Sequence, residues 1–417
     1  MNKGEQSISD NLAIKSGSAY MVSTILLSSS SIITAPIFSR LLTTSDYGIV
    51  SNFMAWQSIG LIIIGLGLAY TIGNAKIDFP SDFNGFLYSI QALSSLVGLI
   101  AFIIAILFVN HLSSLLELDA SLVIAIFMYL LFLPSVIYMQ EKYKFFLEYK
   151  KSISISFFNT IGSIFICLIL IEFVFTEHKY FGRILGLILP MFLLGLYYYY
   201  SILRRGWGSR ITKYWRYALG ISLPFIPHTL GMVVLTQLDR IMITKMLGNS
   251  DTGLYSFGVA YASIFALASN AIAQAFQPWL YQNYSENNMV LIKKAANTIV
   301  LGISFLIVLI VAFGPEVIKL LGPENFWDSK YVIMPVVVGS FFQFLAAIYS
   351  SIQLYHKKTY FIPVGTLLSA LVNIGLNLIL IPILGIKGAA FGLLLSFLVQ
   401  SLFHMVIYKR VAKSILF

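Results

Sequence analysis

The sequence predicts an all-α integral membrane protein with 12 transmembrane helices, arranged as two parallel six-helix lobes. Three observations predict this class: an apolar composition, 12 long apolar runs and an internal repeat at about half the chain length. Of the 417 residues, 58% are hydrophobic and 11% are charged, compared with roughly 25% charged residues in soluble domains. So few charges cannot coat a globule of this size, and the many aromatic and aliphatic residues exclude a disordered chain.

The apolar runs give the helices in order, because a helix that crosses the bilayer needs roughly 20 mostly apolar residues. The first six runs are Tyr20–Phe38, Ile49–Ile72, Phe86–Val109, Leu122–Tyr138, Ile153–Phe175 and Ile184–Leu203. The second six are Tyr217–Ile243, Leu254–Trp279, Ile292–Phe313, Val332–Leu354, Phe361–Leu384 and Ala389–Tyr408. Pro134, Pro224 and Pro227 interrupt the fourth and seventh runs, which are therefore the least typical of a membrane span.

Charge and polarity give the topology. Met1–Ser18 is polar and no small-residue cleavage site follows the first apolar run, so we expect this run to remain as a membrane helix. With the N-terminus inside, 19 of the 27 Lys and Arg fall in inside segments, which predicts cytoplasmic N- and C-termini. The net charge of +10 does not indicate nucleic-acid binding, because the charges lie in short clusters between apolar runs. Cys167 is the single cysteine, so no intrachain disulfide can form.

The two halves of the chain repeat each other. Arg40–Ile59 (RLLTTSDYGIVSNFMAWQSI) and Lys245–Ile264 (KMLGNSDTGLYSFGVAYASI) share eight of 20 positions at an offset of 205 residues. The last helix of each half also aligns, with Gly186 matching Gly392. We expect a first lobe over 1–205 and a second over 206–417. Six is an even number, so both lobes have the same orientation, and parallel repeats of this kind are typical of transporters.

The repeated segment also has a local interpretation. Ser45–Asp46 and Ser250–Asp251 precede or begin the second helix of each half, where they are expected to cap its N-terminus. Gly48 and Gly253 are expected to allow a close helix–helix contact at the same place.

The same segment resembles a known family. FSRLLTTSDYGIVSNF at Phe38–Phe53 is similar to the first loop of Wzx-like oligosaccharide flippases, the polysaccharide transport branch of the multidrug/oligosaccharidyl-lipid/polysaccharide (MOP) exporter superfamily. The second-half stretch LDRIMITKMLGNSDTGLYSFGVAYA, followed by NAIAQAFQPWLY, is similar to their seventh and eighth helices. The resemblance implies a V-shaped pair of lobes around a cationic central cavity.

What the resemblance implies about function is transport. The expected substrate is an undecaprenyl-pyrophosphate-linked oligosaccharide, moved by alternating access from the cytoplasmic to the periplasmic face of a bacterial inner membrane. The glycan would become O-antigen, capsule or a related surface polysaccharide. No cofactor is implied, but coupling to a proton or sodium gradient is commonly proposed for such proteins. Besides this substrate and the bilayer, a polysaccharide polymerase and a chain-length regulator are expected partners, and nucleic acid is not.

Charged residues near the ends of equivalent helices are the first site candidates. Arg40, Arg240 and Lys245 are expected to attract the pyrophosphate, which Arg binds through its planar fork and Lys as a point charge. The alternative is that they snorkel to the outer interface. Lys15 could meet the pyrophosphate at the cytoplasmic mouth, or could simply anchor the first helix. Asp239 is the candidate for carrying a coupling ion.

Buried amides are the second group of candidates. Asn270, Gln274 and Gln277 form one stripe of the eighth helix, and Asn373 and Asn377 form a shorter stripe on the eleventh. An amide stripe that faces lipid is costly, so these should face protein or a water-filled cavity. They are candidate glycan ligands, with interhelical hydrogen bonding as the alternative.

Other classes of protein remain as alternatives. An ion-coupled small-solute or multidrug exporter shares the helix number. Against it, the first helix has no acidic residue, and Gly73–Asn84 lacks the Gly- and Arg-rich signature of major facilitator proteins. A membrane glycan polymerase or glycosyltransferase usually needs a large polar loop or an acidic cluster, and no HExxH, GxSxG or P-loop motif occurs. The sequence therefore predicts a protein that is not an enzyme. A scaffold would give no reason for duplicated polar spans.

Overall fold

The computed structural model describes residues 34–206 and 211–412. Across these residues every regular element is a helix, and 11 helices are long and apolar enough to cross a membrane by length and composition. A first helix, α1, is described at 34–41. The eleven spans are α2 (Thr44–Gly65), α3 (Phe83–Leu107), α4 (Ala120–Phe145), α5 (Tyr149–Val174), α6 (Lys179–Gly206), α7 (Thr212–Leu247), α8 (Asn249–Ser285), α9 (Met289–Leu321), α10 (Glu324–Tyr355), α11 (Phe361–Leu384) and α12 (Ile386–Val411).

Each of these spans coincides with one predicted run, from the second to the twelfth. The first run lies outside the described residues, apart from its last part in α1. Pro134 lies inside a continuous helix, whereas Pro224 lies in a short 3-10 turn, Leu223–Phe225, that interrupts α7. Both of the runs that prolines interrupt are nevertheless among the spans of the structure.

The second predicted run, Ile49–Ile72, is too long. The helix ends at Gly65, since Leu66 and Gly67 adopt positive φ angles of 49° and 63°. A 3-10 turn (Leu68–Thr71) and a short helix (Ile72–Asp78) follow. Glycine reaches the left-handed region without steric cost, and this permits the break. The apolar character continues through the break because Leu68 and Ile72 enter the core of the first unit.

The chain packs into two compact units. The first contains Asn52–Ile226, and the second combines Ser31–Ser51 with Pro227–Phe417. Each has its own apolar core, built around residues such as Phe86 and Tyr138 in the first and Phe257 and Phe265 in the second. The lobe boundary at 205/206 comes from the sequence repeat and stays a prediction.

The repeated glycines form one contact inside the second unit. A Cβ atom on Gly48 would lie 1.8 Å from the backbone oxygen of Asn249, and one on Gly253 would lie 2.0 Å from that of Thr44. The hydroxyls of Thr44 and Ser250 are 2.8 Å apart. Thr44 aligns with Asn249 at the repeat offset of 205. The predicted close contact is thus confirmed, and the two copies of the repeated segment are each other's partners.

The predicted caps differ between the two copies. Asp46 accepts hydrogen bonds from the backbone NH and hydroxyl of Thr43, at 3.0 and 2.7 Å, and its own NH donates to the Thr43 hydroxyl at 3.1 Å. This is a capping box, in which each residue satisfies the other. The serine caps predicted in the two copies are wrong, because Ser45 and Ser250 lie inside α2 and α8. The acids Asp46 and Asp251 do lie in the first turns, as predicted. The N-cap of α8 is Gly248, which has no side chain to complete a box.

We expect Thr43→Ala to lower the stability of the purified protein. The substitution removes the hydroxyl that both donates to Asp46 and accepts from its NH, which should cost about 1 kcal/mol. Thermal unfolding in detergent measures the effect. Ser45→Ala is the matched control, since the exposed Ser45 lies in the same turn outside the box. An equal loss of stability in both variants would contradict the assigned cap.

Candidate functional site

A buried polar cluster joins α7, α8 and α11 in the second unit. The Asp239 side chain is 1% exposed. Its carboxylate accepts a hydrogen bond from the Tyr255 hydroxyl at 2.5 Å and another from the Asn377 amide at 2.6 Å. Burying a charge at membrane depth is expensive, and such residues usually carry function. Asp239 is therefore the centre of the candidate site.

The amides of α11 belong to this cluster. Asn373 and Asn377 are both 0% exposed, and Asn377 donates to Asn373 at 3.3 Å as well as to Asp239. The side-chain oxygen of Asn377 has no hydrogen-bond partner in the described part of the chain. A Cβ atom on Gly392 would lie 2.3 Å from that oxygen, so only glycine leaves it room. The structure thus brings the side-chain oxygens of Asp239, Asn373 and Asn377 together in one buried cluster.

Arg240 follows Asp239 in the chain but does not pair with it. Its guanidinium donates to the backbone oxygen of Thr236 at 2.6 Å and to the side-chain oxygen of Gln237 at 3.0 Å. None of the salt bridges within 34–206 and 211–412 involves Arg240 or Asp239. The absence of a pair agrees with the 100° between successive residues of a helix. Arg240 therefore forms no ion pair among the described residues, and its second terminal nitrogen makes no hydrogen bond to them that would prevent contact with another anion.

Arg40 lies at the end of α1, where it meets the end of another helix. Its guanidinium donates to the backbone oxygens of Pro36 at 3.2 Å and Leu320 at 2.9 Å. Leu320 belongs to the last turn of α9, and a cation there satisfies a free carbonyl and complements the helix dipole. The side chain remains exposed, so this structural role leaves part of the guanidinium accessible.

The remaining predicted cations do not join the cluster. Lys245 is exposed near the end of α7. Lys15 lies outside the described residues. The structure therefore brings none of the predicted pyrophosphate ligands into contact with one another among its described residues.

The amide stripe of α8 is divided. Asn270 and Gln274 are exposed. Gln277 is partly buried and donates to the Tyr281 hydroxyl at 2.9 Å, which donates in turn to the backbone oxygen of Ser351 at 2.8 Å. Two amides of the stripe are thus available to a ligand, and the third contributes to helix packing.

Sequence reasoning missed Tyr255, whose hydroxyl completes the Asp239 cluster. The residue lies within the repeated segment, but the equivalent position of the first copy is Val50. The repeat therefore gave no signal for it. The equivalent of Asp239 is Thr34, so the buried carboxylate also belongs to one half only. No group of three or more His, Cys, Asp or Glu that could hold a metal ion occurs among the described residues.

Long apolar helices with a buried carboxylate and amides between them define a multi-pass membrane protein. Its fold is that of MOP superfamily transporters. It is similar to an inward-facing multidrug resistance transporter of the MATE family, with a TM-score of 0.70 and 14% identity over 93% of this chain and 94% of that one. It is also similar to the lipid II flippase MurJ in an inward closed conformation, with a TM-score of 0.69 and 15% identity over 95% and 87%.

The sequence comparisons narrow this class. The model of the family described as polysaccharide biosynthesis protein matches residues 13–284, so the chain belongs to that family. A curated relative, Lsg locus putative protein 1 of Haemophilus influenzae, is 34% identical over 74 residues. That match spans 18% of this chain and 18% of the relative.

Proposed function

We propose that the protein is a flippase that moves undecaprenyl-pyrophosphate-linked oligosaccharide units from the cytoplasmic to the periplasmic face of the inner membrane. Membership of the polysaccharide biosynthesis family carries this proposal. The likeness to a lipid II flippase supports it, because both have a fold of the same kind over nearly the whole chain. The product would supply O-antigen, capsule or a related surface glycan, with a polymerase and a chain-length regulator acting next.

We assign the substrate-binding roles to charged and amide side chains according to their accessibility. In this proposal, Arg240 attracts the pyrophosphate with the help of Arg40, Lys245 and Lys15. The lack of an ion pair at Arg240 among the described residues supports its role, since the planar fork of a guanidinium matches phosphate oxygens. Asn270 and Gln274 are exposed on α8 and would contact the glycan through hydrogen bonds. Gln277 would act indirectly, by fixing this part of α8 against Ser351.

We further propose that the Asp239 cluster couples transport to a proton or sodium gradient. The buried carboxylate forms no ion pair with any described residue, so binding a cation would neutralise it. The unpaired oxygen of Asn377 would be a second ligand for a hard cation, since such ions prefer oxygen. In this proposal, Asn373 and Asn377 act together with Asp239 and do not contact the glycan.

An ion-coupled small-solute or multidrug exporter is the second candidate. The TM-score of 0.70 with a multidrug transporter, equal in practice to the 0.69 with the flippase, favours keeping it. The two candidates differ in substrate only, and the buried carboxylate would serve both. A role as a glycan polymerase has less support, because the family and the similar structures are those of transporters.

We expect Arg240→Ala and Arg40→Ala to reduce surface glycan in a host that depends on this protein. Losing one charged contact to a phosphate should lower transport roughly 10-fold or more. Glycan is measured on whole cells at matched protein levels in the membrane, and Arg240→Lys should recover part of the loss. Lys319→Ala is the matched control, because Lys319 is exposed and already paired with Glu316 at 3.0 Å. Normal glycan in both arginine variants would reject their role, and drug sensitivity instead of glycan loss would favour the exporter.

A further inference from the structure

A cavity of about 470 Å³ opens in the first unit where α4, α5 and α6 share one end. Lys142 lies in the last turn of α4, Lys151 in the first turn of α5 and Arg205 in the last turn of α6, and all three line the cavity. The volume lies in the range of roughly 300–1,000 Å³ that is usual for small-molecule sites. None of its residues belongs to the Asp239 cluster, so this is a separate feature of the fold.

The wall of this cavity carries an excess of positive charge. Glu148 is the one acidic residue in its lining, and it forms an ion pair with Lys151. Neither Lys142 nor Arg205 has a carboxylate partner among the residues that the structure describes. The Lys142 ammonium instead lies 5.8 Å from the ring of Phe83. Two like charges around one cavity repel each other, and an anion between them would remove that cost.

The same cavity has an apolar part that lies farther from the helix ends. Met139, Ile155 and Leu194 line it, and each comes about one or more turns deeper in its helix than the cation of that helix. Phe158, also in the lining, is 46% exposed. Charge at the helix ends with apolar surface beneath matches a molecule that has an anionic head and a hydrocarbon chain. A small soluble anion would contact only the charged side chains at the helix ends.

We propose that this cavity binds the phosphate headgroup of an anionic membrane lipid, with the hydrocarbon chain against Met139, Ile155 and Leu194. Arg205 offers its fork and Lys142 its point charge to the phosphate oxygens. The hydroxyl-bearing side chains of Tyr143 and Tyr197 also line the cavity and can donate to the same group. Two lipids share this chemistry, a glycerophospholipid and a polyprenyl phosphate, and binding measurements separate them. The inference does not depend on the proposed transport activity.

The test is lipid binding to the purified full-length protein, measured by native mass spectrometry. The probes are phosphatidylglycerol, zwitterionic phosphatidylcholine, undecaprenyl phosphate and inorganic phosphate. We expect one anionic lipid to be retained roughly 10- to 30-fold more tightly than phosphatidylcholine, since each basic residue near the surface contributes a factor of about five. Lys142→Gln/Arg205→Gln should reduce that preference to within about twofold. Lys144→Gln is the control, because Lys144 pairs with Glu141 and does not line the cavity.

Each outcome has a defined meaning. Tighter binding of phosphatidylglycerol or of undecaprenyl phosphate, lost in the double variant, supports the site and identifies its lipid. Equal binding of phosphatidylcholine, or an unchanged preference in the double variant, overturns the proposal. Displacement of the lipid by equimolar inorganic phosphate would also overturn the proposal, because the site would then bind an anion without needing a lipid. Arg205→Gln alone changes one exposed side chain at a helix end. This single variant is the test to use if the double variant does not fold. Its preference for the anionic lipid over phosphatidylcholine should fall about fivefold.

Discussion

Asp239→Asn is expected to stop transport while the protein stays folded. The two side chains have nearly the same shape. The amide keeps an oxygen that can accept from Tyr255, and Asn377 can turn its unpaired oxygen toward the new NH2 group. What is lost is the charge that a coupling ion would neutralise, so surface glycan should fall at least about 10-fold, as for loss of a coupling free energy between two sites. Glycan is measured in the dependent host at matched membrane levels of the protein, alongside thermal unfolding of the purified variant.

Two further substitutions separate coupling from packing at this residue. Asp239→Ala leaves the Tyr255 hydroxyl and one N–H of the Asn377 amide without an acceptor, which should cost about 2–5 kcal/mol of stability. Tyr255→Phe removes one donor but keeps the carboxylate, so it should cost roughly 1–3 kcal/mol and retain transport. Wild-type glycan levels in Asp239→Asn would reject the coupling role, whatever the stability of the other two variants.

Gly48→Ala is expected to prevent correct folding. Its Cβ atom would lie 1.8 Å from the backbone oxygen of Asn249 and 3.0 Å from the backbone nitrogen of Gly253. Backbone atoms cannot move aside as a flexible side chain can, so the cost should exceed the roughly 1–3 kcal/mol that is usual for overpacking. The measurement is the yield of monodisperse protein in detergent and its unfolding temperature. Gly253→Ala should behave in the same way, since its Cβ atom would meet Thr44.

Gly302→Ala is the matched control for this substitution. Gly302 lies inside α9, and nothing lies within 4 Å of the Cβ atom that alanine would add. Replacing glycine by alanine in the open interior of a helix should stabilise the protein by about 0.5–1 kcal/mol. If Gly48→Ala were as stable as Gly302→Ala, the contact between the repeated segments would be wrong.

The sequence predicts the helices well because their signal is large and local. A run of about 20 apolar residues has few structures open to it in a membrane, and the runs from the second to the twelfth all become helices. The break after Gly65 was not predicted, because Leu66 and Ile72 are as apolar as the helix before them. Backbone conformation at Leu66 and Gly67 sets that boundary, and hydropathy does not report it.

The candidate site could be predicted only in part. Asp239, Asn373 and Asn377 were recognised as polar residues in apolar helices, but their contact with one another depends on how α7 and α11 pack. Tyr255 gave no signal, since tyrosine is common in membrane helices and its repeat partner is Val50. The missing cap of α8 follows from Gly248, which occupies the position of Thr43. Because the two copies are identical at Ser250 and Asp251, the repeat does not indicate this difference at the cap position.

Because of the contact between Gly48 and Gly253, a substitution in one copy of the duplicated segment affects the other copy. Each glycine faces the main chain of the other copy, so a larger residue in one would have to be answered by a change in the backbone path of its counterpart. The halves of the gene are therefore not free to diverge separately at these codons, although they have diverged at Asp239 and Thr34.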